Sequence, residues 1–201
     1  MPQIPSVDQA MKYLNEASRF NPGAWIEHSK NVALAAKLIA DKTTELSAEK
    51  AYIFGLLHDI GRRNGAMQAR HAIEGYRFML SQGFEACARI CMTHTFQYKD
   101  INAIYDSWDC SEQDFEFAEN YIRNIQFDEY DLLIQLCDAL SLDTGFCLLE
   151  KKMVSLVLRF GNKDTTIQKW KSTFEIKTYF DRLTGCSIYE LLPDIMNNTF
   201  I

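Results

Sequence analysis

The chain has 201 residues and a formal charge of −6, and 47% of its residues are hydrophobic. This size and composition predict one domain with a substantial core. The negative charge argues against a general binder of extended nucleic acid, because such binding depends on neutralising phosphates with Lys and Arg. No apolar run approaches the roughly 18 residues that a membrane helix needs, so no membrane partner is expected.

The N-terminal stretch MPQIPSVDQAMKYL has neither the basic start nor the apolar core of a signal peptide. The chain contains six cysteines but no C-x-x-C pair, and several of them fall in apolar helical surroundings. This pattern favours reduced, buried thiols over a zinc site or disulfides. Together these features predict a cytoplasmic protein.

Apolar periodicity predicts helices along almost the whole chain. The first clear stripe, AWIEHSKNVALAAKLIADK, follows a start signal at Asn21-Pro22. The segment SAEKAYIFGLLHDIG is predicted to begin with Ser47 as its N-cap and to end at Gly61. Only the segment VSLVLRF could instead adopt an extended, strand-like conformation for a few residues. Further helices are predicted over residues 69–81, 85–93, 111–123, 128–142 and 163–183.

The chain shows no internal repeat and no Gly/Ser-rich linker. We therefore predict an all-α fold, a helical bundle in a single domain. Residues 1–145 are expected to form the core of the bundle, and residues 146–201 to add C-terminal helices packed on the same domain. The late stretch KWKSTFEIKTYFDRLTGCSIYELLPDI could instead cover a pocket, but packing is the favoured interpretation.

Histidines and an aspartate fall on faces that should be buried. Asp138 interrupts the apolar run DLLIQLCDALSL, where an unpaired carboxylate would be costly and no basic residue lies within one turn. Gly55 is expected to leave room for a ligand beside the next histidine. Any one of these residues could be an ordinary hydrogen-bonded core residue, but their number favours a metal site. The histidines are His28, His58, His71 and His94.

The order of these residues resembles the HD superfamily of metal-dependent phosphohydrolases, which is named for an adjacent His-Asp doublet. His28, the doublet His58-Asp59 in FGLLHDIGR, and Asp138 in LCDALSL match its four-residue core. The resemblance covers about residues 20–145. It implies a bundle of helices whose metal ligands converge from separate segments.

Two further histidines extend the resemblance to members with six ligands and two metal ions. His71 lies in QARHAIEGYRFM and His94 in CMTHTF, as in bacterial dinucleoside-polyphosphate hydrolases. Cyclic-dinucleotide phosphodiesterases are similar in ligand count, but their Gly-Tyr-Pro signature is absent here. We assign Asp59 as the bridging ligand and, with His58, as the catalytic pair. One ion is then assigned to His28, His58 and Asp138, and the other to His71 and His94.

Nitrogen and oxygen ligands of this kind suit divalent Fe, Mn or Co, and Mg, Ni or Zn are also compatible. Two divalent ions against two carboxylates leave a charge of about +2, which attracts phosphate and acidifies a bound water. Basic residues near the ligands are candidate phosphate contacts, because guanidinium groups match phosphate oxygens. Arg62 is the preferred contact, and each of these basic residues could instead be a solvated surface charge. The candidates are Arg62, Arg63, Arg70 and Lys99.

These features predict a metal-dependent phosphohydrolase that uses activated water to cleave a phosphoester or phosphoanhydride. The expected partner is a nucleotide or another small phosphorylated metabolite. Two alternatives stay open. Mixed-valent di-iron oxygenases similar to inositol oxygenase share nearly the same ligand order, and a degenerate HD domain could sense a nucleotide without turnover.

Overall fold

A computed structural model of the protein describes residues 4–200. Within this range the fold is all-α, which confirms the predicted class. A 3₁₀ turn covers Ile60–Asn64, and a minimal antiparallel hairpin pairs β1 (Ser141–Leu142) with β2 (Gly145–Phe146). The α-helices are α1 (Val7–Phe20), α2 (Trp25–Ala40), α3 (Ala48–Leu57), α4 (Arg70–Ser81), α5 (Glu85–Thr93), α6 (Glu112–Asn124), α7 (Glu129–Leu140), α8 (Leu149–Phe160), α9 (Thr166–Thr184), α10 (Ile188–Leu191) and α11 (Ile195–Thr199).

Side-chain caps set several of the helix starts. The Ser47 hydroxyl accepts a hydrogen bond from the Lys50 amide, as predicted for the start of α3. Asp128 accepts from the amides of the first turn of α7 in a capping box. Ser6 caps α1, a helix that the sequence analysis did not predict. The segment VSLVLRF lies within α8, so the option of an extended strand there is wrong.

None of the helices between residues 4 and 200 combines the length and the apolar character that a bilayer span requires. Residues 1–3, which begin the stretch used to predict cytoplasmic location, lie outside the described residues.

Gly55 lies where α3 packs against α2, the most extensive helix pair of the fold. A Cβ atom at this position would sit 2.4 Å from the Cα of Ala33 on α2. The expectation that Gly55 leaves room for a ligand is therefore wrong. The glycine instead lets the two helix backbones approach closely, which fixes the positions of His28 on α2 and His58 at the end of α3.

Gly61 also has a role different from the predicted helix stop. The α-helix ends earlier, with His58 as its C-cap, and Asp59 has φ −102° and ψ 12°. Gly61 then lies inside the 3₁₀ turn Ile60–Asn64, and a Cβ atom there would sit 2.0 Å from the carbonyl oxygen of His71. The missing side chain lets the turn pack directly on α4, and this contact brings His71 next to the doublet.

Candidate metal centre

The six predicted metal ligands converge on one cavity of about 690 Å³ from four helices and the turn after α3. All but His58 line this cavity, and His58 is fully buried behind it. The ligands come from positions 28, 58, 59, 71, 94 and 138, so the fold brings together residues separated by as many as 110 positions.

One half of the site joins α2, α3 and α7. The Nε2 atom of His28 lies 2.9 Å from Oδ1 of Asp138, and the Nε2 atom of His58 lies 4.0 Å from the same oxygen. The ligating atoms of these three residues all lie within 4.8 Å of one another. This spacing is suitable for three ligands of one ion.

The other half of the site is built around Asp59. Its Oδ1 atom lies 3.1 Å from Nε2 of His71 and 3.6 Å from Nε2 of His94, while its Oδ2 atom lies 3.9 Å from Nε2 of His58. The Nε2 atoms of His71 and His94 are 3.2 Å apart. The two oxygens of Asp59 thus face different histidines, and the carboxylate lies between the two halves.

The backbone selects the tautomer of three of the histidines. His58, His71 and His94 each place Nδ1 against the carbonyl oxygen of the residue three positions earlier, at 2.7 Å for His58 and 2.8 Å for His94. A carbonyl oxygen can only accept, so Nδ1 carries the proton in each ring. The Nε2 atom of each ring is then left with the lone pair that a metal ion needs.

The chemistry of the site fits a cation. Within residues 4–200, Nε2 of His58 and Oδ1 of Asp59 are buried and have no hydrogen-bond partner. A buried polar atom without a partner costs about 1–3 kcal/mol, so two such atoms on adjacent residues need an explanation. Both are electron-pair donors, and divalent ions bound at the two halves of the site would satisfy both.

The charge states of the ligands agree with this fit. Burial lowers the pKa of His58 to about 4, so its ring is neutral at pH 7. Burial opposes the ionisation of Asp59 and Asp138, but their neighbours overcome it and lower both pKa values. Arg62 is the main such neighbour of Asp59, and His28 is that of Asp138. These are the deprotonated forms that bind metal.

The model of the HD domain family matches residues 25–143, which is more than half of the chain and includes all the converging ligands. The chain belongs to the HD domain family. Members of this family are in general metal-dependent phosphohydrolases and bind divalent ions. The His58-Asp59 doublet, on which the resemblance rests, lies within the matched residues. No curated protein and no solved structure matches the chain significantly.

Arg62 is the one predicted phosphate contact that lines the cavity of this HD domain. Its Nε atom donates to Oδ2 of Asp59 at 2.7 Å, and its Nη1 atom donates to the carbonyl oxygen of Met67 at 3.2 Å. These bonds fix the guanidinium at the rim. They also orient the carboxylate, so that Oδ1 points to His71 and His94.

The other predicted phosphate contacts do not line the cavity. The Arg63 guanidinium lies over the ring of Phe78, 4.0 Å from its centroid, on the outside of the turn. Arg70 pairs with Glu74 one turn along α4, and Lys99 is exposed. Each of these two guanidinium groups therefore has a local partner outside the cavity lining, and the assignment of Arg63 and Arg70 as phosphate contacts stays a prediction. Lys99 is not brought to the site either.

Three basic residues of the C-terminal helices line the same cavity and were not predicted: Lys152, Arg159 and Lys169. Lys169 is almost fully buried on α9, in helical register with the buried Thr173, Ile176 and Phe180. A lysine in the apolar stripe of a helix is the sequence signal that could have identified it. The C-terminal helices thus form one wall of the cavity as well as packing on α7.

Proposed function

We propose that this HD domain protein is a dinuclear phosphohydrolase that cleaves a phosphoester or phosphoanhydride of a nucleotide or another small phosphorylated metabolite. The observation that carries the proposal is the position of Asp59. It lies between two groups of histidines, with one oxygen toward His58 and the other toward His71 and His94. A carboxylate in this position is suited to bridge two ions.

His28, His58 and Asp138 would hold one ion, and His71 and His94 the other, with Asp59 shared between them. The mixed nitrogen and oxygen donors suit Fe, Mn or Co, and Mg, Ni or Zn are also compatible. When bound, the ions supply positive charge to phosphate oxygens and lower the pKa of the water that attacks phosphorus.

The protein itself supplies orientation and a second positive group. Arg62 holds Asp59 through Oδ2, and the backbone carbonyls hold three imidazoles with Nε2 inward. Arg62 uses Nε and Nη1 for its bonds to Asp59 and Met67, which leaves further N–H donors of a group that lines the cavity. We propose that these free N–H donors bind a phosphate oxygen, where they would offset the negative charge that develops during cleavage.

The size of the cavity supports a small substrate. Its volume of about 690 Å³ falls within the roughly 300–1,000 Å³ typical of sites for small ligands. The apolar part of its wall includes Trp25, Met153, Leu156 and Phe160. A phosphorylated metabolite with an apolar or aromatic portion, such as a nucleotide, would be complementary to this mixed surface.

The test is a substrate panel on protein purified without oxygen and reconstituted with Mn or Fe. The panel contains dinucleoside polyphosphates, nucleoside mono-, di- and triphosphates, cyclic nucleotides and p-nitrophenyl phosphate. We expect metal-dependent phosphate release from at least one of them, abolished by EDTA, with oxygen from labelled water in the product. Stoichiometric oxygen uptake by the iron form without phosphate release would instead assign the oxygenase alternative. Tight nucleotide binding without turnover would assign a sensing role.

A further inference from the structure

Three cations form a wall of the cavity that the ligand set does not explain. We define the C-terminal wall as Lys152 and Arg159 of α8 and Lys169 of α9, all of which line the same cavity as the candidate metal ligands. Over residues 4–200 their polar contacts are backbone carbonyls or an aromatic ring, and none forms an ion pair with a carboxylate. Cations that line a cavity without carboxylate partners create a positive potential that favours the binding of an anion.

Lys169 carries most of this argument because it is buried. Its Nζ atom donates to the carbonyl oxygens of Thr95 at 2.6 Å and Ala103 at 2.7 Å. An ammonium group has three N–H donors, so these bonds leave one unused. Burial lowers the pKa of Lys169 to about 7. The bonds to Thr95 and Ala103 are structural, and the protonated form of Lys169 keeps one further N–H donor at the cavity wall.

Lys152 and Arg159 are seven positions apart on α8, which places them on the same face two turns apart. Met153 and Leu156 also line the cavity from this helix, so apolar surface lies between the two charges. Arg159 is exposed, and its guanidinium lies over the ring of Phe160, 4.8 Å from the centroid. The wall therefore offers separated cations with apolar surface between them.

The charge of the whole cavity exceeds what one phosphate can neutralise. The metal centre of the proposed function would have an excess of about +2, which one phosphate dianion offsets. The wall adds the charges of Lys152 and Arg159, and Lys169 supplies a third when it is protonated. Asp106 and Asp143 also line the cavity, but neither pairs with a wall residue. If both are counted against the wall, one positive charge remains for a second anion when Lys169 is protonated, and a bound anion favours that form.

We propose that the C-terminal wall is a second anion subsite, and that the substrate is a small organic phosphate with a further anionic group, either a phosphate or a carboxylate. The metal centre would take the phosphate that is cleaved, and Lys169, Lys152 and Arg159 would take the other group. This inference rests on the proposed function, because that function places the first phosphate at the metal centre.

The experiment measures the binding of three probes to the Mn-loaded protein by calorimetry. Phenyl phosphate has one anionic group, 3-phosphoglycerate has a phosphate and a carboxylate, and fructose 1,6-bisphosphate has two phosphates. We expect at least one two-anion probe to bind tenfold or more tightly than phenyl phosphate. The probe that binds more tightly identifies whether the wall prefers carboxylate or phosphate.

The variants Lys152→Gln, Arg159→Gln and Lys169→Met should each remove most of this tenfold advantage and change phenyl phosphate binding by less than twofold. Lys151→Gln on α8 and Lys171→Gln on α9 are matched controls, because neither residue lines the cavity, and they should retain the advantage. Arg159 is exposed and its side chain makes no hydrogen bond within the described range, so its variant should fold even if Lys169→Met does not.

Equal affinity of the wild type for all three probes would overturn the inference, and so would equal losses in wall and control variants. The readout is binding, so it is separate from the proposed function. A protein with the expected pattern that hydrolyses no phosphoester would refute the hydrolase but keep the anion subsite. An active hydrolase whose wall variants bind all probes like the wild type would keep the hydrolase and refute the anion subsite.

Discussion

Two buried polar clusters of this protein use similar residues in different ways. The first is the candidate metal centre. The second, which we call the α5–α7 clamp, consists of Arg89, Thr93 and Asp131. Asp131 is fully buried, and its Oδ1 atom accepts a hydrogen bond from the Thr93 hydroxyl at 2.7 Å. Its Oδ2 atom accepts from Nε of Arg89 at 3.0 Å and from the Asp128 amide at 2.8 Å.

The contrast lies in which atoms have partners. Both carboxylate oxygens of Asp131 are satisfied by the protein, whereas Oδ1 of Asp59 and Nε2 of His58 are not. Folding alone accounts for the clamp, because it ties α5 to α7 and so holds the helices that position His94 and Asp138. The candidate metal centre has atoms that only a further group, such as a cation, could satisfy. The difference teaches that buried imidazole and carboxylate atoms without partners, rather than burial itself, distinguish the candidate metal centre from the clamp.

The largest effect is expected from Asp59→Ala. Loss of the shared carboxylate should remove bound metal and lower phosphoester hydrolysis at least about 10³-fold, or about 4 kcal/mol in the activation barrier. Metal content and initial rate are measured on the same samples. Asp106→Ala, at a cavity-lining carboxylate outside the ligand set, should keep its metal. Hydrolysis at the parental rate in Asp59→Ala would refute the mechanism.

Asp131→Ala tests the other side of the comparison. Removal of this carboxylate leaves Arg89 without its charge partner, and a broken buried pair costs about 3 kcal/mol. We expect that loss in urea unfolding, with metal content per folded molecule unchanged. The milder Thr93→Val removes one hydrogen bond to Asp131 and should cost only about 1 kcal/mol. Loss of metal without loss of stability would show that the clamp is not structural.

The stability of the metal-free protein should fall between pH 6.5 and pH 4. In this window the unfolded chain protonates His58 at its ordinary pKa of 6.5, while the folded chain, with the pKa near 4, does not. Protons therefore favour the unfolded state, by up to about 3 kcal/mol at pH 4. Urea unfolding of EDTA-treated protein measures this slope, and His58→Gln should flatten it. A wild-type stability that does not change over this range would contradict the buried neutral ring.

Arg62 and Arg63 are neighbours with opposite expected roles. Arg62→Ala releases Oδ2 of Asp59, and loss of such an orienting group typically costs about 10–100-fold in metal affinity or activity. Arg63→Ala removes a stacked cation from Phe78 and should cost about 0.5–1 kcal/mol of stability with activity unchanged. Metal titration and urea unfolding of both variants separate the two. A larger loss of metal affinity in Arg63→Ala would reverse the assignment.

The helices and the ligand order could be predicted because both depend on local signals. Ser47 and Asp128 begin their helices as predicted, and the 3.6-residue period shows which segments are helical. The same period placed His28 on a buried face. The convergence of the ligands was implied by the resemblance to the HD superfamily, and it could not be worked out from any one helix.

The errors arose where function depends on contacts between distant segments. Gly55 lets α3 pack closely on α2, and Gly61 lets the 3₁₀ turn pack closely on α4. No local sequence pattern reveals either contact. Arg63 lies over Phe78 of α4 and does not line the cavity, and this contact between the 3₁₀ turn and α4 is not visible in any local pattern. Lys169 reaches the cavity only because α9 packs beside the segment that holds Thr95 and Ala103.

The most direct test of the account is a metal titration of the wild-type protein stripped of metal without oxygen. Dialysis against Mn or Fe, followed by elemental analysis, gives the number of ions per chain. We predict two ions per chain in the wild type and their loss in Asp59→Ala. A wild-type protein that binds no ion above background would contradict the claim that the unpartnered atoms of His58 and Asp59 form a metal centre.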